Sequence, residues 1–429
     1  MKPHFLYMET YGCSANQNNS EIMKGILVNS GLDFTDNPNI ADIIIINSCV
    51  VKEPTENSIK QRILELQELN KPIIIAGCMP QVRTSWLKNK KNIYMLGISH
   101  IKEITKLIRR ITENKYNSSE FITKEKETKL NCSKIKNNKL MGITQISEGC
   151  LGDCNFCVVK LVKGNLFSYP EESILENIKQ DIKQGCKEIW LTSQDLASYG
   201  LESKDKSAFI NLLNKILLID SNFKLRLGMM NPNHILPITD DLIEIYKGEK
   251  VYKFLHIPVQ SGSNKILKSM NRKYTKEQFS EIIKKFRTIF PDSIIATDII
   301  TAFPGETEED FNQTINLMKE TKPDVVNITR YWPMKGTRAE TMNQIDRKTA
   351  SKRALEVQKL HLQVSLNNFK KYEGNIVEVF VNEQKGSNCL ARDENYRLFV
   401  IRTNNKLLGR KVKVKVSKAF SHYLLAELI

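Results

Sequence analysis

The sequence predicts an α/β chain of three units: an N-terminal open α/β (Rossmann-like) domain, a partial (βα)6 barrel and a small C-terminal β-barrel. Three observations carry this. Unbroken β-branched runs such as Ile43–Ile46 and Ile73–Ala76 alternate with helical stretches up to Arg110, the pattern of a parallel sheet covered on both faces. From Gly142 the alternation resumes on a longer scale. Beyond Lys371 the period drops to two, with Lys411, Lys413 and Lys415 alternating against Val412, Val414 and Val416.

In the first unit, strands are expected at Phe5–Met8, Ile43–Ile46 and Ile73–Ala76, with helices near Ser20–Ser30 and Pro54–Leu69. The stretch from Thr112 is polar, rich in Lys and Asn and without period, so it reads as a linker or a lid. The second unit offers strands at Ile143–Ile146, Glu188–Thr192, Lys224–Gly228, Phe254–Val259, Ile294–Thr301 and Val325–Arg330. Six β-then-α units in succession suggest an incomplete parallel barrel. Asn375–Asn382, Arg397–Arg402 and Arg410–Ser417 are strand-like and suggest a small barrel of the kind that holds nucleic acid. The boundaries expected are 1–111, a linker at 112–135, 136–366 and 368–429.

The 429 residues carry a net charge of +16, which points to a polyanionic partner, nucleic acid first, although heavy Lys and Asn usage is also a compositional habit. No apolar run approaches the roughly 20 residues that cross a bilayer, so no membrane role is expected. The start of the chain shows no apolar leader segment, and a cytoplasmic protein is expected. Nine cysteines in such a chain read as reduced thiols available to metals.

Cys150, Cys154 and Cys157 form C-x3-C-x2-C directly after the first barrel strand, where barrel enzymes place their active sites. Three soft ligands leave one iron of a [4Fe–4S] cluster open, whereas a closed zinc site wants a fourth ligand that is not nearby. Cys13, Cys49 and Cys78 each follow a strand of the first unit within a few residues. Carboxyl ends of parallel strands converge on one edge, so these thiols are expected to meet there, with a buried core cysteine as the alternative for any one alone. Cys132, Cys186 and Cys389 have no partner at ligand spacing.

Taken together, Glu9-Thr10-Tyr11-Gly12-Cys13, the dispersed Cys49 and Cys78, the C-x3-C-x2-C loop and the C-terminal strands closely resemble the methylthiotransferase family of radical S-adenosylmethionine enzymes, over essentially the whole chain. Familial stretches include His256-Ile257-Pro258-Val259-Gln260-Ser261-Gly262-Ser263, Lys268–Arg272 and Phe303-Pro304-Gly305-Glu306-Thr307. Glu188–Asp195 with Tyr199-Gly200 resembles the archaeal and eukaryotic branch, which acts on N6-threonylcarbamoyladenosine at position 37 of tRNA. Met334 departs from the family pattern, which has an Arg there, and Ser193-Gln194-Asp195 departs from the Gly-x-Asn form of many bacterial relatives.

The resemblance implies a C-terminal barrel of the TRAM type and two [4Fe–4S] clusters, on Cys150/Cys154/Cys157 and on Cys13/Cys49/Cys78. It also implies S-adenosylmethionine bound at the open iron of the first, with tRNA, a one-electron donor and a sulfur source as partners and a monomer as the working unit. Phe156, Gln194, Asp195 and Gln260 are then expected to contact the cofactor, with loop residues as the plain alternative for the polar three; no side chain is assigned as catalytic acid or base. His256 is as readily a core histidine. Two rival readings stand beside this one, a ribosomal-protein aspartate as sulfur acceptor and a non-catalytic RNA-binding protein stapled by metal.

Overall fold

The computed structural model describes residues 4–429. Five parallel strands, β1 (Phe5–Thr10), β2 (Asp33–Phe34), β3 (Ile43–Ser48), β4 (Ile73–Gly77) and β5 (Ile93–Gly97), lie in the order β2-β1-β3-β4-β5. The isoleucine runs are buried on both faces because helices cover both. Ile43, Ile45 and Ile74 pack with Ile22 and Leu27 of helix Ser14–Asn29 and with Ile104 and Leu107 of helix Ile104–Thr112. Ile44, Ile46, Ile73 and Ile75 pack with Ile59 and Ile63 of helix Glu53–Gln67.

The second unit begins with β6 (Met141–Gln145), and a short antiparallel pair, β7 (Ser147–Glu148) and β8 (Phe167–Ser168), brackets the C-x3-C-x2-C loop. The remaining parallel strands are β9 (Glu188–Thr192), β10 (Lys224–Leu227), β11 (Phe254–His256), β12 (Ile294–Thr301) and β13 (Val325–Arg330). They pair as β6-β9-β10 and β11-β12-β13. The halves join where Val251 bridges Leu225 and Tyr252 N donates to Leu225 O at 3.0 Å. The expected six-strand partial barrel is present.

The third unit is a closed barrel of β14 (Ile376–Lys385), β15 (Asn388–Arg392), β16 (Leu398–Arg402), β17 (Lys411–Ala419) and β18 (Leu424–Leu428). Val414 and Val416 point into its core while Lys411, Lys413 and Lys415 are exposed. This small barrel stops the amino-terminal end of the larger one, sharing a core with Tyr252, Phe254, Ile294 and Ala296. The Arg226 guanidinium lies 4.7, 4.8 and 5.3 Å from the ring centres of Trp190, Phe254 and Tyr396, and Asn382 Nδ2 donates to Glu188 at 3.1 Å. Among the described residues no helix is long and apolar enough to cross a membrane.

The polar stretch read as a linker or lid is a strap with almost no regular structure, pinned by the residues that made it look solvated. Its backbone crosses helix Ser14–Asn29 at Gly25, where a Cβ would stand 2.2 Å from Ser133 O. Ile135 N donates to Glu21 O at 3.0 Å, and Lys134 Nζ donates to Ile143 O at 3.0 Å. Lys129 is fully buried against Glu148, at 2.9 and 2.8 Å from its two oxygens. Lys129→Met strands the Glu148 carboxylate and is expected to cost about 3 kcal/mol, read from the urea unfolding midpoint.

Candidate active site

Cys13, Cys49 and Cys78 follow β1, β3 and β4, three neighbours in the sheet, so the loops that carry them lie side by side at one edge. Side chains lace the three loops together. Asn16 Nδ2 donates to Tyr11 O at 2.8 Å and to Ser48 O at 2.9 Å, Cys78 N donates to Ser48 O at 3.1 Å, and Ser48 Oγ donates to Ala76 O at 2.6 Å. Cys49 and Cys78 are buried and Cys13 is exposed. Burial, with the charge of neighbouring thiols, pushes the Cys78 thiol up to about 12 and Cys49 in the same direction.

The second trio sits on a loop that the protein grips from several sides. Gly149 precedes it with φ of +84°, and a Cβ there would fall 1.9 Å from Asn165 O, so only glycine allows the two arms of the loop to cross. Gly149 N donates to Gln194 Oε1 at 2.8 Å and Cys150 N to Gly164 O at 3.2 Å. The Cys150 and Cys154 sulfurs flank Gly152, 3.2 and 3.7 Å from where its Cβ would be. Burial pushes Cys150 up to about 11 and Cys157 up to about 12.

The segment Lys268–Arg272, which the sequence marks without a role, holds this loop. Asn155 Nδ2 donates to Ser269 O at 2.7 Å, and Asn271 Nδ2 donates to Asp153 O at 2.6 Å. Arg272 Nη1 donates to Cys154 Sγ at 3.1 Å, Nε to Tyr274 Oη at 2.9 Å and Nη2 to Asn231 Oδ1 at 2.6 Å. A cation donating to a sulfur is the arrangement that lowers the cost of a thiolate. Nothing in the spacing of Arg272 and Cys154 along the chain signals this contact.

At the barrel mouth, Gln194 braces the cysteine loop through Gly149. Asp195 is buried near Cys150 with both oxygens engaged, accepting from Asn231 N at 3.0 Å and bonded to His234 Nδ1 at 2.6 Å. Gln260 takes a left-handed backbone with φ of +71°, and its buried Oε1 has no partner among the described residues. Phe156 packs on Phe303, with ring centres 6.4 Å apart, beside Met270 and Tyr331. His256 Nε2 lies 3.2 Å from Asp298 Oδ1, which also accepts from Asn327 Nδ2 at 2.7 Å. Burial raises the Asp298 carboxyl, but His256 and Asn327 outweigh it and hold that carboxyl below the ordinary range.

The two trios are not independent. Helix Val159–Lys163 leaves Cys157 and packs on the first unit, where Val158, Val162 and Met334 share one apolar cluster with Cys49, Cys78 and Met79. Met334, the departure from the family Arg, is therefore a packing residue of this seam. Among the described residues no three His, Cys, Asp or Glu side chains stand grouped closely enough to hold a single metal ion. Three soft donors at each edge, with Arg272 donating to Cys154 and Lys163 on the helix packed against the other set, fit an iron–sulfur cluster. Cys132, Cys186 and Cys389 lie outside both trios.

Family models match in three stretches: the "Uncharacterized protein family UPF0004" over residues 6–97, the "Radical SAM superfamily" over 144–318 and the "TRAM domain" over 370–429. These units define a radical S-adenosylmethionine enzyme, a class that uses S-adenosylmethionine and a [4Fe–4S] cluster. A Pyrococcus horikoshii protein named "Probable threonylcarbamoyladenosine tRNA methylthiotransferase" is 39% identical over 426 residues, 99% of each chain. The Homo sapiens "Threonylcarbamoyladenosine tRNA methylthiotransferase" is 32% identical over 433 residues, 98% of this chain and 73% of the human one. The chain belongs to the threonylcarbamoyladenosine tRNA methylthiotransferase family. In fold alone it is similar to the radical S-adenosylmethionine methyltransferase TsrM from Kitasatospora setae, solved with cobalamin and a [4Fe-4S] cluster bound, at a TM-score of 0.58 and 12% identity over 79% of this chain and 77% of that one.

Gly149→Ala forces a clash at the crossing of the cysteine loop. It is expected to lower stability by about 2 kcal/mol and to reduce the iron retained after anaerobic loading, both read against the parent chain by urea unfolding and iron assay.

Proposed function

We propose that the protein converts N6-threonylcarbamoyladenosine at position 37 of tRNA to its 2-methylthio derivative, with one [4Fe–4S] cluster on Cys150, Cys154 and Cys157 and a second on Cys13, Cys49 and Cys78. Two thiol trios on the carboxyl ends of two parallel sheets, meeting across helix Val159–Lys163, carry this reading. When bound, the first cluster with S-adenosylmethionine supplies the radical needed to open an aromatic C–H bond, and the second supplies sulfur.

The chain's own residues prepare the place. Arg272 holds Cys154 by a charge-assisted contact and Gln194 sets the backbone ahead of Cys150. Asp195 fixes His234 and Asn231 beneath the same loop, so it acts by shaping the floor. The unpartnered Gln260 Oε1 is the side-chain acceptor offered at the mouth, and the Phe156 ring gives an apolar wall there. Residues 1–111 then bear the sulfur-supplying cluster, 136–366 the radical chemistry and 368–429 the RNA contact, joined by 112–135. Both trios come from one chain, so a monomer holds the full donor set. A one-electron donor and a sulfur source complete the reaction, and the cytoplasm, where tRNA is modified, is the proposed site of action.

Nucleosides from cells with and without the gene test the substrate: loss of 2-methylthio-N6-threonylcarbamoyladenosine by mass spectrometry is expected, and its persistence refutes the assignment. Cys154→Ala is expected to abolish S-adenosylmethionine cleavage, whereas Cys49→Ala keeps cleavage and loses sulfur transfer, both followed by product analysis. Full methylthiolation by the Cys49 variant would overturn the division of labour.

The exposed face of β17 borders a groove of about 830 Å³ between the barrels, lined in part by Lys187, Lys224, Lys253, Arg392 and Lys411. Neutralising Lys411, Lys413 and Lys415 is expected to weaken tRNA binding, with the salt slope falling by about one for each phosphate that no longer meets a lysine. Glu378 and Glu427 stand opposite Lys413 and Lys415 in the ladder, so the effect is expected to be smaller than that of three unopposed lysines.

A further inference from the structure

One deeply buried charge lacks a partner. Lys163 ends the helix that follows Cys157, its residue is 6% exposed, and its ammonium makes no hydrogen bond among the described residues. An ammonium in such a place is costly unless negative charge faces it. The helix that carries Lys163 packs against the first unit, where Val158 and Val162 share one apolar cluster with Cys49 and Cys78, and the negative groups that act on the ammonium are Glu148 and the thiols of Cys13, Cys78 and Cys49. Glu148 is already engaged by Lys129 through both oxygens, at 2.9 and 2.8 Å. The backbone at this point is fixed as well: Lys163 O accepts from Lys126 Nζ, and the next carbonyl, Gly164 O, accepts from Cys150 N at 3.2 Å. A side chain on the helix that joins one trio to the other unit thus keeps three donor hydrogens unspent beside the second trio.

We propose that Lys163 is a positioning residue for the Cys13/Cys49/Cys78 site, where its ammonium holds an anionic sulfur ligand, hydrosulfide or a small thiolate, beside the metal centre. This rests on the reading that the trio carries a second cluster. Three thiolates and a fourth sulfur anion held close together repel one another, and a fixed cation with free donors offsets that repulsion while directing the ligand. An apolar residue of equal length fills the same space without doing either.

The test uses the full chain carrying Cys154→Ala, which leaves iron to the Cys13/Cys49/Cys78 trio, alone and combined with Lys163→Met or Lys163→Arg. Each chain is loaded with iron anaerobically, its iron is counted, and sodium sulfide is titrated while the electron paramagnetic resonance signal of the reduced protein is followed. About four irons per chain are expected throughout. Lys163→Met is expected to bind sulfide about tenfold more weakly, the loss of one hydrogen bond to a charged group, and Lys163→Arg to restore most of it. If the Met chain keeps no iron while the Arg chain does, the need for charge is shown at the loading step instead. Equal sulfide affinity in the Met chain overturns the inference. A Cys154→Ala parent that loads no iron overturns the second-cluster reading itself, so the two failures are told apart.

Discussion

Buried thiols ionise only where positive charge stands beside them, and much of this molecule is arranged around that requirement. Left to the protein alone, Cys78 and Cys157 sit far above neutral because burial penalises their charged forms. Two cations answer this from within the radical unit: Arg272 against Cys154, and Lys163 against the thiols of the first unit. Lys163 is buried and Arg272 half-buried, so each in turn draws on negative charge, and the sites are coupled electrostatically as well as by packing. Glu148 is where the couplings meet, since the strap delivers Lys129 to it and Lys163 faces it as well.

Parallel sheets suit this task because their strands end together. A strand such as β3 spends its isoleucines on both covering layers and arrives at the edge with Asn47, Ser48 and Cys49, small polar residues that tie loops and leave space. The seam between the units is then closed by apolar contact. Val158, Val162 and Met334 are nearly or fully buried there, each contributing roughly 1.5–3 kcal/mol. A flexible, unbranched methionine fills the seam between the two units without demanding a polar partner.

The strands with continuous or alternating apolar pattern were legible in the sequence, and Glu188–Thr192, Ile294–Thr301 and Val325–Arg330 match their expected bounds. Short or mixed strands were not: Asp33–Phe34 is two residues long, and Asn388–Arg392 and Leu424–Leu428 take their pairing from barrel closure more than from pattern. The edge placement of all six cysteines followed from strand ends alone, because topology fixes where parallel strands finish. What supports those cysteines was hidden. Arg272 and Cys154 are 118 residues apart, and Lys129 lies in a stretch whose composition signals solvent exposure. Charge in a sequence does not announce whether water or a buried carboxylate will receive it.

The small barrel closes the larger one at the amino ends of its strands, while both trios open at the carboxyl ends. The eight residues of β12 span about 26 Å at 3.3 Å per residue. Strand tilt makes the wall itself somewhat lower than that length. A molecule that touches both the small barrel at the base and the thiols at the rim has to reach from one end of these strands to the other, a distance that a single nucleoside does not cover.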